Sequence, residues 1–330
     1  MTSSGQSRRN YGRRFFWFAV AILAGIGLYS AGWFYAAGRL EDEVAGAVSR
    51  LNGSGKRVNC EEPQARGYPF RIGLFCRSVL YEDARRGLSA QARALRTAAQ
   101  VYEPWRIVGE LDGPARLEAP GLSALVLDWT NLRASARLAR PLPQRLSLEA
   151  QDLNVRRDEQ TETLPPLARV ESVEAHMRPA GDDVDLAIRF AGLQPDAALT
   201  NGISLPPLSG LADLSLAGAA LPGGLDGTLR GRSFTLRSLT VSAEDGAGVT
   251  VSGPVAVDAA GLVDAELRIT VREPMALAKI LGDLAPQARR EIELSFSAIA
   301  AMGGDAGMPL RIVDGVASLG FITLGTIPPL

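Results

Sequence analysis

Two cysteines and one histidine are all the thiol and imidazole chemistry in a chain of 330 residues. Cys60 and Cys76 bracket the stretch CEEPQARGYPFRIGLFC. Two thiols at that spacing can form a redox pair, ligate a metal, stay buried and free, or join in a disulfide. A redox pair usually needs closer cysteines, as in C-x-x-C. A zinc site needs four ligands, and two cysteines without partner histidines cannot supply them. The compartment decides between the other two. His176 lies in VEAHMRP, on a predicted strand beside a turn, and is expected to be an exposed strand residue, not a general base or ligand. The carboxylate pairs Glu61-Glu62 and Asp182-Asp183 fall in predicted turns and are expected to be solvated. The GSGK at 53–56 lacks the first glycine of a phosphate loop, since Arg50 occupies that place, and no strand precedes it. G-x-S-x-G, H-E-x-x-H and C-x-x-C are all missing from the sequence. The expectation is a protein that is not an enzyme, with no cofactor and no metal.

The compartment is set by the N-terminus. Residues 15–38, FFWFAVAILAGIGLYSAGWFYAAG, carry no charge. They exceed the ~20 residues that cross a hydrocarbon core as helix. Trp17 lies near one end and Trp33, Phe34 and Tyr35 near the other, as interfacial belts require. A cleaved signal peptide would be shorter and would end on small residues, where this run has bulky aromatics. Arg8, Arg9, Arg13 and Arg14 precede the run without an acidic residue, whereas Arg39 is followed by Glu41, Asp42 and Glu43. The positive-inside rule therefore predicts a cytoplasmic basic tail at 1–14, a transmembrane helix at 15–38 and a periplasmic remainder. Leu40, Val44, Ala47, Val48 and Leu51 share one helical face, so the helix is expected to continue over 39–53 and stop at Asn52-Gly53. In an oxidising periplasm the expectation for Cys60 and Cys76 is a disulfide, with two free buried thiols as its competitor. It would close a loop of about 17 residues, worth roughly 3 kcal/mol by the chain-entropy model.

The rest reads as strands. The cysteine stretch is predicted to be a hairpin, with arms at 57–61 and 68–83 and its turn over Pro63–Gly67. Short alternating runs follow, divided by turn residues such as Asp112-Gly113 and Pro120-Gly121. DEQTETLPPL at 158–167 is a candidate linker between two β halves, 54–160 and 161–330, which show no clean repeat. Later hairpins are predicted to turn at Pro179–Asp183, Glu244–Gly246, Asp258–Gly261 and Asp314-Gly315. Helices are expected at 273–284 and at 286–304, the second ended by Gly303-Gly304. The fold class is therefore mainly β: one transmembrane helix, then an extended, curved antiparallel sheet, trough or sandwich-like, with few helices. One apolar face per strand means an antiparallel sheet covered on one side. A formal net charge of −1 and 6% aromatic residues argue against a nucleic-acid partner.

Three features together resemble a family. They are the anchor behind an arginine cluster, the Cys60–GYPFRI–Cys76 hairpin, and the closing DGVASLGFITLGTIPPL after two helices. This pattern resembles an uncharacterised alphaproteobacterial domain-of-unknown-function family of membrane-anchored periplasmic proteins, over nearly the whole chain. The resemblance implies a place, the inner membrane, and a shape, but no functional residues. More loosely, DGTLRGRSFTLRSL at 226–239 is similar to the meanders of AsmA-like envelope proteins. That similarity implies a trough that holds or passes phospholipid, or that assists outer-membrane assembly. This chain is too short to bridge the periplasm alone. The functional expectation is a module that binds lipid or another hydrophobic ligand in cell-envelope maintenance. Its alternative is a scaffold that holds an envelope protein and no small ligand.

Overall fold

In the computed structural model, which describes residues 11–140, 142–158, 166–200, 202–219, 229–301, 307–320 and 322–330, the chain begins with one uninterrupted helix, α1 (Tyr11–Gly53). At 43 residues it is long and apolar enough to cross a membrane with about 30 Å to spare. From Gly12 to Tyr29 its side chains are exposed nearly all round. Beyond that, Trp33, Ala37, Val44 and Val48 form an inward stripe that packs along a sheet edge.

The chain leaves α1 at the far end of the sheet and runs back beside it. The first pass is β1 (Lys56–Cys60) and β2 (Gln64–Arg66); the second is β3 (Arg71–Cys76) and β4 (Val79–Asp83). β1 pairs with β4 and β2 with β3, so the two passes form one long hairpin. Its turn lies at Gly67–Phe70, where the Arg71 N–H donates to the Gly67 carbonyl at 2.9 Å. This corrects the sequence reading of a turn at Pro63–Gly67. Glu62 takes a left-handed φ of 50°, which kinks the strand and lets it continue. The GSGK segment is a helix end turning into β1, the reverse of the strand-to-helix order a phosphate loop needs.

Four more passes complete the first half. They are β5 (Leu88–Ala92) with β6 (Leu95–Gln100), β7 (Glu103–Leu111) with β8 (Ala115–Glu118), β9 (Leu125–Asp128) with β10 (Asn131–Arg137), and the unbroken β11 (Arg145–Arg157). Each pairs antiparallel with the next on both sides of its break. The breaks fall level with one another, at Glu62, Arg77-Ser78, Arg93-Ala94, Asp112–Pro114, Trp129-Thr130 and Asp152, the last with φ 52°. Asp112-Gly113 is therefore part of a crease within one pass and not the hairpin turn its sequence predicts. Backbone bonds keep the ladder continuous across the crease, among them Asp112 N–H to Ala94 O and Thr130 N–H to Gln151 O.

The meander then goes on in plain sequence order. It runs through β12 (Ala168–Ala180), β13 (Asp183–Pro195), β14 (Leu208–Leu216), β15 (Arg232–Ala243), β16 (Gly248–Val257) and β17 (Val263–Arg272). It closes with β18 (Met308–Val313), β19 (Val316–Leu319) and β20 (Ile322–Thr326). β11 and β12 pair from Leu146↔Met177 to Val155↔Ala168, so both halves belong to one open, curved sheet. Most of the candidate linker, residues 159–165, lies outside the described residues. The crease continues as bulges at Gly192, Arg237 and Gly253. A side chain at Gly253 is doubly barred: φ is 142°, and a Cβ would lie 2.1 Å from the Glu266 carbonyl oxygen. Asp314 and Gly315, both at positive φ, make the tight hairpin their sequence predicts. Between β17 and β18, α2 (Pro274–Leu284) and α3 (Arg289–Ala301) pack on each other. The predicted stop at Gly303-Gly304 lies outside the described residues.

Candidate functional site

Cys60 and Cys76 are bonded to each other, with Cα atoms 5.3 Å apart. The bond crosses the first hairpin at the crease, and Cys76 is fully buried. α1 seals the outer edge of that hairpin. The Glu41 carboxylate accepts the Ala65 N–H at 2.7 Å, and the Asn52 side chain accepts from Val58 N–H and donates to Val58 O. These side chains satisfy edge groups that would otherwise be open to another strand.

His176 lies on an exposed strand face, with Nδ1 3.0 Å from Ser147 Oγ and Nε2 3.7 Å from Glu174. Ser147 is its cross-strand partner in register. Among the described residues no group of three or more His, Cys, Asp or Glu side chains could hold a metal.

What the register does assemble is a surface. Residues directly opposite in antiparallel strands point to the same face. Leu148 faces Ala175, which faces Ile188; Ile188 faces Ala212, and Ala212 faces Leu239. Leu239 then faces Val251, which faces Ile269, which faces Met308. This is one apolar row over eight strands, about 34 Å wide at ~4.8 Å per strand. A second row, Leu146–Met177–Leu186–Leu214–Leu236, runs beside it, and Val173, Phe190, Val241, Val249 and Val271 lie on its other side.

The face is buried in some places and open in others. Val184, Ala265 and Ile312 near one end are buried, and so is Val271 near the other. In between, Ile188 is 47% and Leu239 40% exposed, and Leu146, Leu148 and Val241 are exposed beside them. Ala175 and Ala212 separate the large residues of the central row. Phe190 lies over Gly210, where a Cβ would meet its ring at 2.3 Å.

The opposite face is charged and mostly self-paired. Arg96, Glu110, Arg133 and Glu149 follow one another in register. A tighter cluster forms where Arg237, the bulged residue of β15, reaches across two strands. It bonds Asp213 at 2.7 Å and Asp185 at 2.9 Å, and Arg178 bonds Asp185 at 3.1 Å. The Arg237 hydrogen bond, followed by those of Ser215 and Arg178, holds the Asp185 carboxyl below the usual carboxylate range despite the opposing effect of burial. A lowered folded-state pKa stabilises the fold above the ordinary aspartate value of about 3.9 and stops doing so as pH falls through the folded-state value. Asp185→Asn should therefore cost about 1 kcal/mol near neutral pH, the arginines being exposed, and flatten the acid limb of a stability–pH curve below pH ~4. Chemical denaturation at stepped pH reads both effects.

The sequence pointed to the cysteines. The one-sided alternation also led to the expectation of an apolar face that holds a ligand, but which residues form its rows depends on the seven registers from β11 to β18, which alternation within each strand does not reveal. No curated protein and no solved structure matches the chain, so these comparisons lend the AsmA-like resemblance no support. One family does match: residues 33–328 fit the bacterial family described as "Uncharacterized protein conserved in bacteria (DUF2125)". The match starts at Trp33, where α1 first buries a side chain against the sheet, and takes in every strand described above. The chain belongs to the DUF2125 family.

Proposed function

We propose that the chain is a non-catalytic, membrane-anchored module of the cell envelope, and that its open apolar face holds the acyl chains of a phospholipid or a similar apolar ligand. The observation that carries this reading is the uncovered part of the apolar face, where Ile188 and Leu239 stand exposed in one row. In a closed sandwich those side chains would be buried against a second sheet. A leaflet is about 15 Å deep, half the ~30 Å hydrocarbon core, so an acyl chain fits easily along a strand pass of 13 residues. The anchor is α1. A periplasmic position for the sheet is supported by the arginines of the N-terminal tail and by a disulfide, which persists in oxidising compartments.

The test is native mass spectrometry of the full-length chain, released from mild detergent and searched for bound lipid. The helix must be kept, because cutting it away would strip Trp33, Glu41 and Asn52 from the sheet edge. The expected result is a reproducible phospholipid at a fixed ratio to protein. A folded chain without lipid argues against the reading. A fixed protein partner in place of lipid would make the module a scaffold.

A further inference from the structure

The tip of the first hairpin touches α1 inside its apolar run. Tyr29 donates to the Pro69 carbonyl, Ser30 bonds the Tyr68 hydroxyl at 2.8 Å, and Trp33 Nε1 donates to Arg71 O at 2.8 Å. The Phe34 and Tyr68 rings stack at 5.7 Å. About 20 helical residues cross a hydrocarbon core, and counted from Phe15 that distance ends at Phe34. The hairpin tip is therefore level with the point where α1 would emerge from hydrocarbon.

At that same end of the sheet, two neighbouring turns and the first residues of β7 present large apolar side chains to solvent. Phe70 is 70%, Tyr102 78% and Trp105 67% exposed. The turns are tied together, with the Val101 N–H donating to Phe70 O and the Leu138 N–H to Trp105 O. Beside the rings are five exposed arginines: Arg71, Arg106, Arg137, Arg140 and Arg145. Arg137 is directly opposite both Arg106 and Arg145. Like charges in register are unfavourable in a sheet unless something anionic meets them. Aromatic rings with arginines close behind are the composition that suits the headgroup layer, where rings bridge apolar and polar zones and guanidinium groups bind phosphate in pairs of hydrogen bonds.

We propose that this end of the sheet rests in the interface of the same bilayer that α1 crosses, with Phe70, Tyr102 and Trp105 at headgroup depth and the arginines on lipid phosphates. The proposal rests on α1 crossing a membrane and is independent of whether the apolar face holds lipid. Trp105 is two residues from Ile107, which faces Ala99 and Ala136 on the apolar side, so the open face would meet the leaflet at this rim.

The four tryptophans stand at different levels and report the seating directly. Trp17 is in the apolar run, Trp33 at the hairpin, Trp105 on the rim, and Trp129 at the crease, where its Nε1 donates to Leu111 O. Leu111 is six residues along the strand from Trp105, about 20 Å away. The experiment is 19F NMR of the full-length chain, labelled with 5-fluorotryptophan in nanodiscs of phosphatidylethanolamine and phosphatidylglycerol. Signals are assigned with single Trp→Phe variants. A lipid spin-labelled just below its headgroup should relax Trp105 and Trp33 several-fold more than Trp129. Relaxation of Trp33 but not Trp105 by the lipid label, with Trp105 open to a water-soluble paramagnet, would overturn the seating and leave the anchor intact. If Trp17 and Trp33 also escape the lipid label, the membrane reading of α1 falls with it.

Discussion

Replacing Ile188 and Leu239 together with glutamate is expected to abolish lipid retention and leave the chain folded. Both side chains are in the central apolar row, two strands apart, with only Ala212 between them. Covering an exposed Leu or Ile with an apolar ligand contributes on the order of 1.5–3 kcal/mol when burial is complete. With 47% and 40% of the two side chains left to cover, the pair contributes about 1–3 kcal/mol, a loss of roughly ten- to a hundredfold in affinity. Two carboxylates against an acyl chain add a desolvation cost to that. The fold should tolerate the change, because side chains already 47% and 40% exposed can turn their carboxylates to water. Lipid-to-protein ratio by native mass spectrometry, read beside a heat-unfolding curve, separates the two effects. The matched control is Glu149→Gln with Glu174→Gln, a pair of opposed acids on the other face. It should leave the lipid ratio unchanged.

Removing the disulfide should give the largest loss of stability from a pair of substitutions. The bond closes a sequence separation of 16 residues, worth roughly 3 kcal/mol by loop entropy. Alanine is the better replacement at both positions, since a serine at the fully buried Cys76 would add an unsatisfied hydroxyl. Cys60→Ala with Cys76→Ala should lower the unfolding temperature by roughly 5–10 °C for a chain of this size. Reductant should bring the wild-type protein down to the same temperature and leave the variant where it is. Equal melting with and without the bond would mean that α1 and the strand ladder already hold the first hairpin unaided.

The fold class follows from local signals wherever a turn has its own chemistry. Asp314-Gly315 and Glu244–Gly246 mark their hairpins because positive φ selects glycine there, and α2 begins at the proline its pattern indicates. The crease is different. Glycine at positive φ marks it only at Gly192 and Gly253; its other positive-φ positions are Glu62 and Asp152, the latter inside a run that reads as strand, and elsewhere it falls at Arg77-Ser78 and Trp129-Thr130. Asp112-Gly113 does carry a turn signal and still lies within one pass, because the ladder to β6 and β10 outweighs the local preference. The disulfide could be expected once the membrane helix had assigned a compartment. An apolar face could be expected too, but not which of its residues stay open, since exposure depends on what covers a face, and Ile188 alternates no differently from the buried Val184.

Photo-crosslinking in intact cells tests most directly whether lipid occupies the open face. A benzophenone amino acid is placed in turn at Ile188 and Leu239 on the apolar face and at Glu149 and Glu174 on the charged one. After irradiation the full-length chain is isolated and its adducts are weighed. Phospholipid adducts are expected from Ile188 and Leu239 and none from Glu149 or Glu174. Adducts of equal yield from both faces, or protein adducts alone from the apolar positions, would contradict lipid occupancy of the open face.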